Sequence, residues 1–278
     1  MTFTTNTHSF EYKFNNENII IINIENICKQ LSCDCIYDCF LSGINLDIEW
    51  IKIYDSNMKL INICYADFID YNLKNTSFNL IKLPTFCHRY SREFALTKGY
   101  IQVKGNIKNI NLVINSFTSN IKYSSLNNKL NVYTFSDVCF YKHIDSKLLN
   151  DLHTIDFNIE DNISCLYIFV EPFNKMCHVE LDGTLYHNNK FMTTINDDTN
   201  IVSKYENGTL SNTSNTNTNN IYQITFKPYN TSNISNFSLK FKLNTLKETG
   251  TVTVKIYYTR LITITEFCEQ FKNFFSTY

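Results

Sequence analysis

The sequence predicts an all-β protein, an antiparallel β-sandwich with a C-terminal helix and few other short helices. Three observations carry this. Apolar and polar residues alternate with a period of two along most of the chain, the pattern of a strand with one face in a core and one in solvent. The alternating runs are rich in β-branched and aromatic residues and are joined by connectors rich in Asn, Ser and Thr. Helical periodicity is confined to a few short stretches. Of 278 residues, 44% are hydrophobic and 15% aromatic. That is material for one large all-β domain or two small ones, with enough apolar area to offset the entropy of ordering.

Taken in chain order, the alternating runs before the midpoint are Ile19–Ile27, Ile48–Tyr54, Leu60–Ala66, Gly99–Val103, Ile110–Phe117 and Leu130–Cys139. Those after it are Thr154–Ile159, Cys165–Glu171, Cys177–Asp182, Phe191–Ile195, Ile221–Phe226, Phe237–Leu243 and Thr251–Ile264. About a dozen short strands with polar connectors predict a sandwich or barrel. The clearest helical run is terminal, Thr265–Phe275, where Thr265 is a cap and Phe267, Phe271 and Phe274/Phe275 recur every three to four residues. A second helical stretch is read over Asn26–Phe40, and a short one near Ser146–Leu152.

Between Asp70 and Arg92 the alternation lapses and Pro84 appears. The expected organisation is therefore an N-terminal extension or accessory layer over residues 1–90 and a main β-sandwich domain over 91–278. Within the latter, residues 196–220 turn almost wholly polar around SNTSNTNTNN (Ser211–Asn220), the composition of a long surface excursion.

Charge excludes some partners. Lys and Arg number 25 against 26 Asp and Glu, for a formal net charge of -1, and only Arg89, Arg92 and Arg260 are arginine. A phosphate-binding surface shows as a basic excess, and arginine is the side chain suited to bidentate recognition, so no nucleic-acid partner is expected. The N-terminus lacks the apolar core of a secretory signal, and apolar runs such as Ile19–Ile22 are far short of the ~20 residues of a membrane span. No membrane partner is expected either. Composition is skewed as well: 39 Asn accompany two Ala, six Gly and three Pro. That bias follows A/T-rich codons, and so few glycines leave little scope for phosphate-cradling loops. Neither GxGxxG, GxxxxGK(S/T), GxSxG nor HExxH occurs. No enzyme activity, cofactor or metal is expected.

Cysteine is the most suggestive residue type, with ten copies. Cys28, Cys33, Cys35 and Cys39 fall within twelve residues as C-x4-C-x-C-x3-C, which is not the paired CxxC spacing of a zinc ribbon. They read as small buried hydrophobes or, together with Cys268, as candidates for intermolecular disulfides formed after release into an oxidising exterior. The dipeptides Cys87-His88 and Cys177-His178 cannot each form a thiolate–imidazole pair on a strand, because neighbouring residues there point to opposite faces. Aromatic residues follow the inward positions of strands, while Tyr257, Tyr258 and Tyr278 are candidate assembly contacts. Trp50 and exposed tyrosines would serve sugar stacking if the sandwich were a glycan- or receptor-binding module, the reading of a different class.

The segment LTKGYIQVKGNIK (Leu96–Lys108) resembles the opening strand of jelly-roll capsid subunits of DNA viruses, with its Leu-x-x-x-Tyr-hydrophobic-x-Val-Lys order. An Asn-rich, Gly-poor all-β chain of this length without a catalytic motif is also similar, as a class, to polyhedrin-like occlusion-body matrix proteins. The resemblance implies a jelly-roll-like sandwich and a non-enzymatic, self-assembling viral structural protein. It implies an occlusion-body matrix first, and a capsid or penton subunit second. It further implies copies of the chain itself and other virion proteins as partners, in a virion or occlusion body, after synthesis in the host cytoplasm and assembly in the host nucleus or cytoplasm.

Overall fold

The computed structural model describes residues 3–13, 18–33, 35–43, 48–65, 79–82, 95–105, 109–119, 130–171, 179–196, 202–206, 209–213, 221–226, 235–245, 250–264 and 267–268. In its first half the chain forms β1 (Phe3–Lys13), β2 (Ile19–Asn23), α1 (Ile24–Leu31), β3 (Cys35–Gly43), β4 (Ile48–Tyr54), β5 (Leu60–Tyr65), β6 (Asn79–Lys82), β7 (Ala95–Leu96), β8 (Tyr100–Gly105), β9 (Asn109–Ser119) and β10 (Leu130–Phe135). There follow β11 (Phe140–Ile144), a 3-10 turn at Ser146–Leu148, β12 (His153–Ile159), β13 (Ile163–Glu171), β14 (Val179–His187), β15 (Lys190–Ile195), β16 (Val202–Glu206) and β17 (Thr209–Thr213). The last are β18 (Ile221–Thr225), β19 (Ser235–Thr245), β20 (Val252–Ile264) and β21 (Phe267–Cys268).

The chain divides into two compact units. Unit 1 comprises Met1–Thr134, Lys204–Ser211 and Ile262–Tyr278; unit 2 comprises Phe135–Ser203 and Asn212–Leu261. The division thus falls near residue 134, whereas the lapse in alternation placed it near residue 90. The lapse marks the connections on either side of β6, within unit 1.

Each unit is a sandwich of two antiparallel sheets. In unit 1 one sheet runs β1-β9-β3, with β6 and β7 both beside β3 and β21 beyond β7, and the other runs β2-β8-β4-β5. Leu41, Ile110, Leu112 and Ile114 from the first sheet and Ile22, Ile51, Ile53, Ile101 and Val103 from the second bury into one apolar cluster. In unit 2 one sheet runs β11-β20-β13-β18, and the other runs β12-β19-β14-β15. Leu166, Ile168, Val254 and Ile256 meet Phe157, Leu181, Leu239 and Phe241 in a second cluster. Counting each sandwich's principal strands from one to eight gives the same order in both: 1-8-3-6 opposite 2-7-4-5. Two Greek keys closed into a double sheet in this way are a jelly roll, here twice in one chain. The expected jelly-roll class is what the structure has, in duplicate.

Local sequence explains the elements. On β12, His153, Ile155, Phe157 and Ile159 are buried and alternate with exposed or half-exposed Thr154, Asp156 and Asn158, as period two requires. On α1, Asn23 caps the N-terminus by accepting a 3.0 Å bond from the Asn26 amide, and Glu25 pairs with Lys29 at 2.9 Å. The helix ends where Ser32 takes a left-handed conformation, φ 51°.

Several expectations change. The helical stretch read over Asn26–Phe40 is two elements, because the turn at Ser32 stops the helix and Cys35–Gly43 becomes the third strand, bonded along β9. Within the expected C-terminal helix, Phe267–Cys268 is instead a short strand across from Ala95–Leu96; the rest of that stretch lies outside the described residues. Its aromatic spacing fits either period, and an open strand edge took the backbone. Parts of the polar excursion form β16 and β17, paired with each other. Finally, Leu96–Lys108 contains β8, the seventh strand of the first sandwich, so the segment read as an opening strand is not one.

Candidate functional site

The described residues hold no group of three or more His, Cys, Asp or Glu side chains arranged to bind a metal. The cysteine cluster is split by secondary structure: Cys28 lies on α1, Cys33 just beyond its end, and Cys35 and Cys39 on β3. Cys28 is buried, Cys33 is half-buried, and both are thiols without a disulfide, as are Cys139 and Cys165. Cys268 lies on β21 opposite Ala95. Tyr278, Cys87-His88 and Cys177-His178 lie outside the described residues.

Tyr257 and Tyr258 are 3% and 4% exposed, so as candidate assembly contacts they offer little area to a neighbouring copy. They point to opposite faces of β20, and both faces are covered. Tyr258 enters the sandwich core beside Phe140. Tyr257 lies on the other face of the β11 sheet, edge-on to Phe169 with ring centres 5.4 Å apart. On that second face Cys165, Tyr167 and Phe169 are each fully buried, and Phe135 lies 5.2 Å from Tyr167. The sequence of β13, ISCLYIFVE, forecasts this: an uninterrupted apolar run is a strand buried on both sides.

Several polar groups within this sheet are paired internally, although the Thr134 hydroxyl and the Arg260 Nε are buried without a hydrogen-bond partner. A bulge at Ser164 shifts the register between Ile163 and Cys165. There the Ser164 hydroxyl shares a 3.0 Å bond with Thr259, the Cys165 amide donates to the Thr259 hydroxyl at 3.1 Å, and the Phe226 amide donates to the Ser164 carbonyl at 2.7 Å. The Tyr258 hydroxyl donates to Asp161 at 3.0 Å, and Arg260 lies 3.7 Å from the same carboxylate oxygen. Burial, with the nearby Asp161 carboxylate adding to it against the opposing Ser136 hydrogen bond, pushes the Tyr258 phenol up to about 12. Asp161 thereby has partners within the fold, and the neighbouring Glu160 is exposed.

For sugar stacking the candidates divide. Trp50 is half-exposed, but the Lys52 ammonium sits 4.8 Å above its ring, occupying a face that a sugar would need. Tyr141 is 63% exposed on β11 and packs against His143.

No family model matches the chain, and no curated protein matches it in sequence. Solved structures do. A chain of the PBCV-1 virus capsid matches with a TM-score of 0.65 at 10% identity, over 94% of each chain. The fold is shared end to end. A chain of Sulfolobus Turreted Icosahedral Virus matches at 0.53 with 7% identity over 96% of this chain and 92% of that one. The major capsid protein of bacteriophage PM2 matches at 0.51 with 12% identity over 92% and 98%. Identities this low speak to architecture alone, and the architecture is that of viral capsid subunits. Sequence reasoning reached the jelly roll but not its duplication.

Proposed function

We propose that the chain is a non-enzymatic capsid-type structural protein of a virus, a shell subunit that assembles with copies of itself in the virion. The carrying observation is the end-to-end match to the PBCV-1 capsid chain, in which each chain covers 94% of the other. Two tandem sandwiches are what this chain places along that shared length. An occlusion-body matrix would also be built from sandwiches, but the likeness runs to shell subunits, and the capsid reading therefore takes precedence. Copies of the chain are the primary partner; other virion proteins follow from the same reading.

Assembly is the test. The purified full chain, followed by size-exclusion chromatography with light scattering and by negative-stain electron microscopy as its concentration is raised, is expected to form discrete oligomers that progress to closed or sheet-like particles. A folded chain that stays monomeric at every concentration and salt condition overturns the proposal. Three-dimensional crystals in expressing cells, without shells, would restore the occlusion-body reading.

A further inference from the structure

We propose that Cys28 and Cys33 are a redox pair that closes into an intrachain disulfide when the protein meets a small-molecule disulfide oxidant. The geometry comes from the end of α1. The Ser32 amide donates to the Lys29 carbonyl at 3.3 Å and the Cys33 amide to the Cys28 carbonyl at 3.0 Å, with Ser32 left-handed between them. These two bonds define a Schellman cap, and Cys28 and Cys33 occupy the two positions whose side chains meet in that motif. Both belong to the same apolar neighbourhood, Cys28 inside the unit 1 cluster and Cys33 packed against it. One direct N–H···O=C bond of 3.0 Å, added to standard Cα–C–O and N–Cα lengths, keeps the two Cα atoms within about 7 Å. A separation beyond that value would rule out a disulfide without backbone movement.

Accessibility sets the order of events. Cys33, the more exposed thiol, attacks one sulfur of the oxidant as its thiolate, releasing one thiol and leaving a mixed disulfide on Cys33. The Cys28 thiolate then attacks the Cys33 sulfur and releases the second thiol. Two S–H bonds and one small-molecule disulfide become one protein disulfide and two small thiols, so protons and electrons balance. The bridge would tie the end of α1 to the start of β3. It also removes Cys28 and Cys33 from the set available for bonds between subunits, since Cys28 is only 6% exposed and finds its partner in its own chain. Compartment supplies the trigger: a cytosol keeps the pair reduced and an oxidising exterior closes it.

The folded full chain, equilibrated with graded ratios of oxidised and reduced glutathione and then quenched by alkylation, provides the test. Trypsin cuts after Lys29 and an Asp-directed protease before Asp34, so Cys33 leaves on Gln30–Cys33 and Cys28 on Phe14–Lys29. The expected result is these two peptides joined and short by two hydrogen atoms, at a yield independent of protein concentration. In Cys33→Ser, Cys28 should be glutathionylated at least tenfold more slowly than Cys33 is in the wild type. Cys33 carrying glutathione while Cys28 is alkylated, or Cys33 joined to another chain, overturns the proposal. Rapid glutathionylation of Cys28 in the folded variant overturns the order of attack.

Discussion

The eighth strand of each sandwich holds the same place in the same topology, yet the two are buried differently. On β9, Ile110, Leu112 and Ile114 are buried while Asn111 is exposed and Val113 half-exposed, so its sheet has one core face. On β20, Ile256, Tyr257, Tyr258 and Thr259 are buried in succession, and the third strand, β13, is buried from Ile163 to Val170. Connectivity therefore does not decide how many faces a sheet hides; side-chain chemistry along the strand does. Where polar residues alternate, one face stays in water. Where Cys165, Tyr167 and Phe169 replace them, both faces close.

The sharpest way to break this contrast is a pair of truncations on the faces turned away from the two sandwich cores. Phe169→Ala deletes a fully buried ring and is expected to lower the unfolding free energy by about 3–5 kcal/mol. Val113→Ala, on the half-exposed face of β9, is expected to cost less than about 1 kcal/mol. Urea titration of both variants decides it, and equal losses would mean that the two sheets are covered alike.

A smaller effect separates the sandwiches by mechanism. Gly99, before β8, has φ of 120°, and a Cβ there would meet the Tyr54 carbonyl oxygen. Gly99→Ala is expected to cost about 3 kcal/mol through backbone strain. Gly183, on β14, has no such conformation, but an added Cβ would lie 2.8 Å from the Phe241 Cβ and 2.9 Å from the Lys240 carbonyl oxygen. Gly183→Ala is expected to cost about 1–3 kcal/mol through overpacking. Thermal melts rank the two, and a neutral Gly183→Ala would show that β14 and β19 can separate.

The smallest effect is confined to the second sandwich. Folding raises the Tyr258 phenol from 10.0 to about 12, so the folded state holds this proton more tightly than the unfolded one. The associated stability is complete below pH about 10 and is lost as pH rises toward 12. Tyr258→Phe is expected to cost about 1 kcal/mol at pH 7, for the bond to Asp161, and to remove that residue's share of the alkaline decline. Urea midpoints from pH 9 to 12 for both proteins test the sign.

Most of the strands were legible because burial writes period two into the sequence: Ile48–Tyr54 is a strand at both of the ends read for it. What escaped was written in other terms. The β1 sequence, FTTNTHSFEYK, is mostly polar, and its strand shows in the pairing to β9 from Phe3 to Lys13 rather than in hydropathy. The 26–40 stretch carried helical spacing across Ser32, where one left-handed residue ends the helix. The duplication left no trace because the two sandwiches share connectivity and not residues: β2 is IIIIN where β12 is HTIDFNI. Of the candidate site, the cysteine spacing was visible but not the boundary between α1 and β3 that sorts those residues. Tyr257 and Tyr258 read as surface, although adjacent buried residues on one strand only mean that both faces are covered.

Unit 1 takes back the far end of the chain: Ile262 sits in its apolar cluster and Phe267–Cys268 pairs with Ala95–Leu96. On a ribosome this has a temporal consequence. Thr134 emerges long before Ile262, and at about 5–20 residues per second the intervening stretch takes roughly 6–25 s to make. The N-terminal sandwich waits, incomplete, while the whole of the second is synthesised, so the first to begin is the last to finish. Growing chains therefore remain unable to complete the first sandwich until the ribosome has passed through the second.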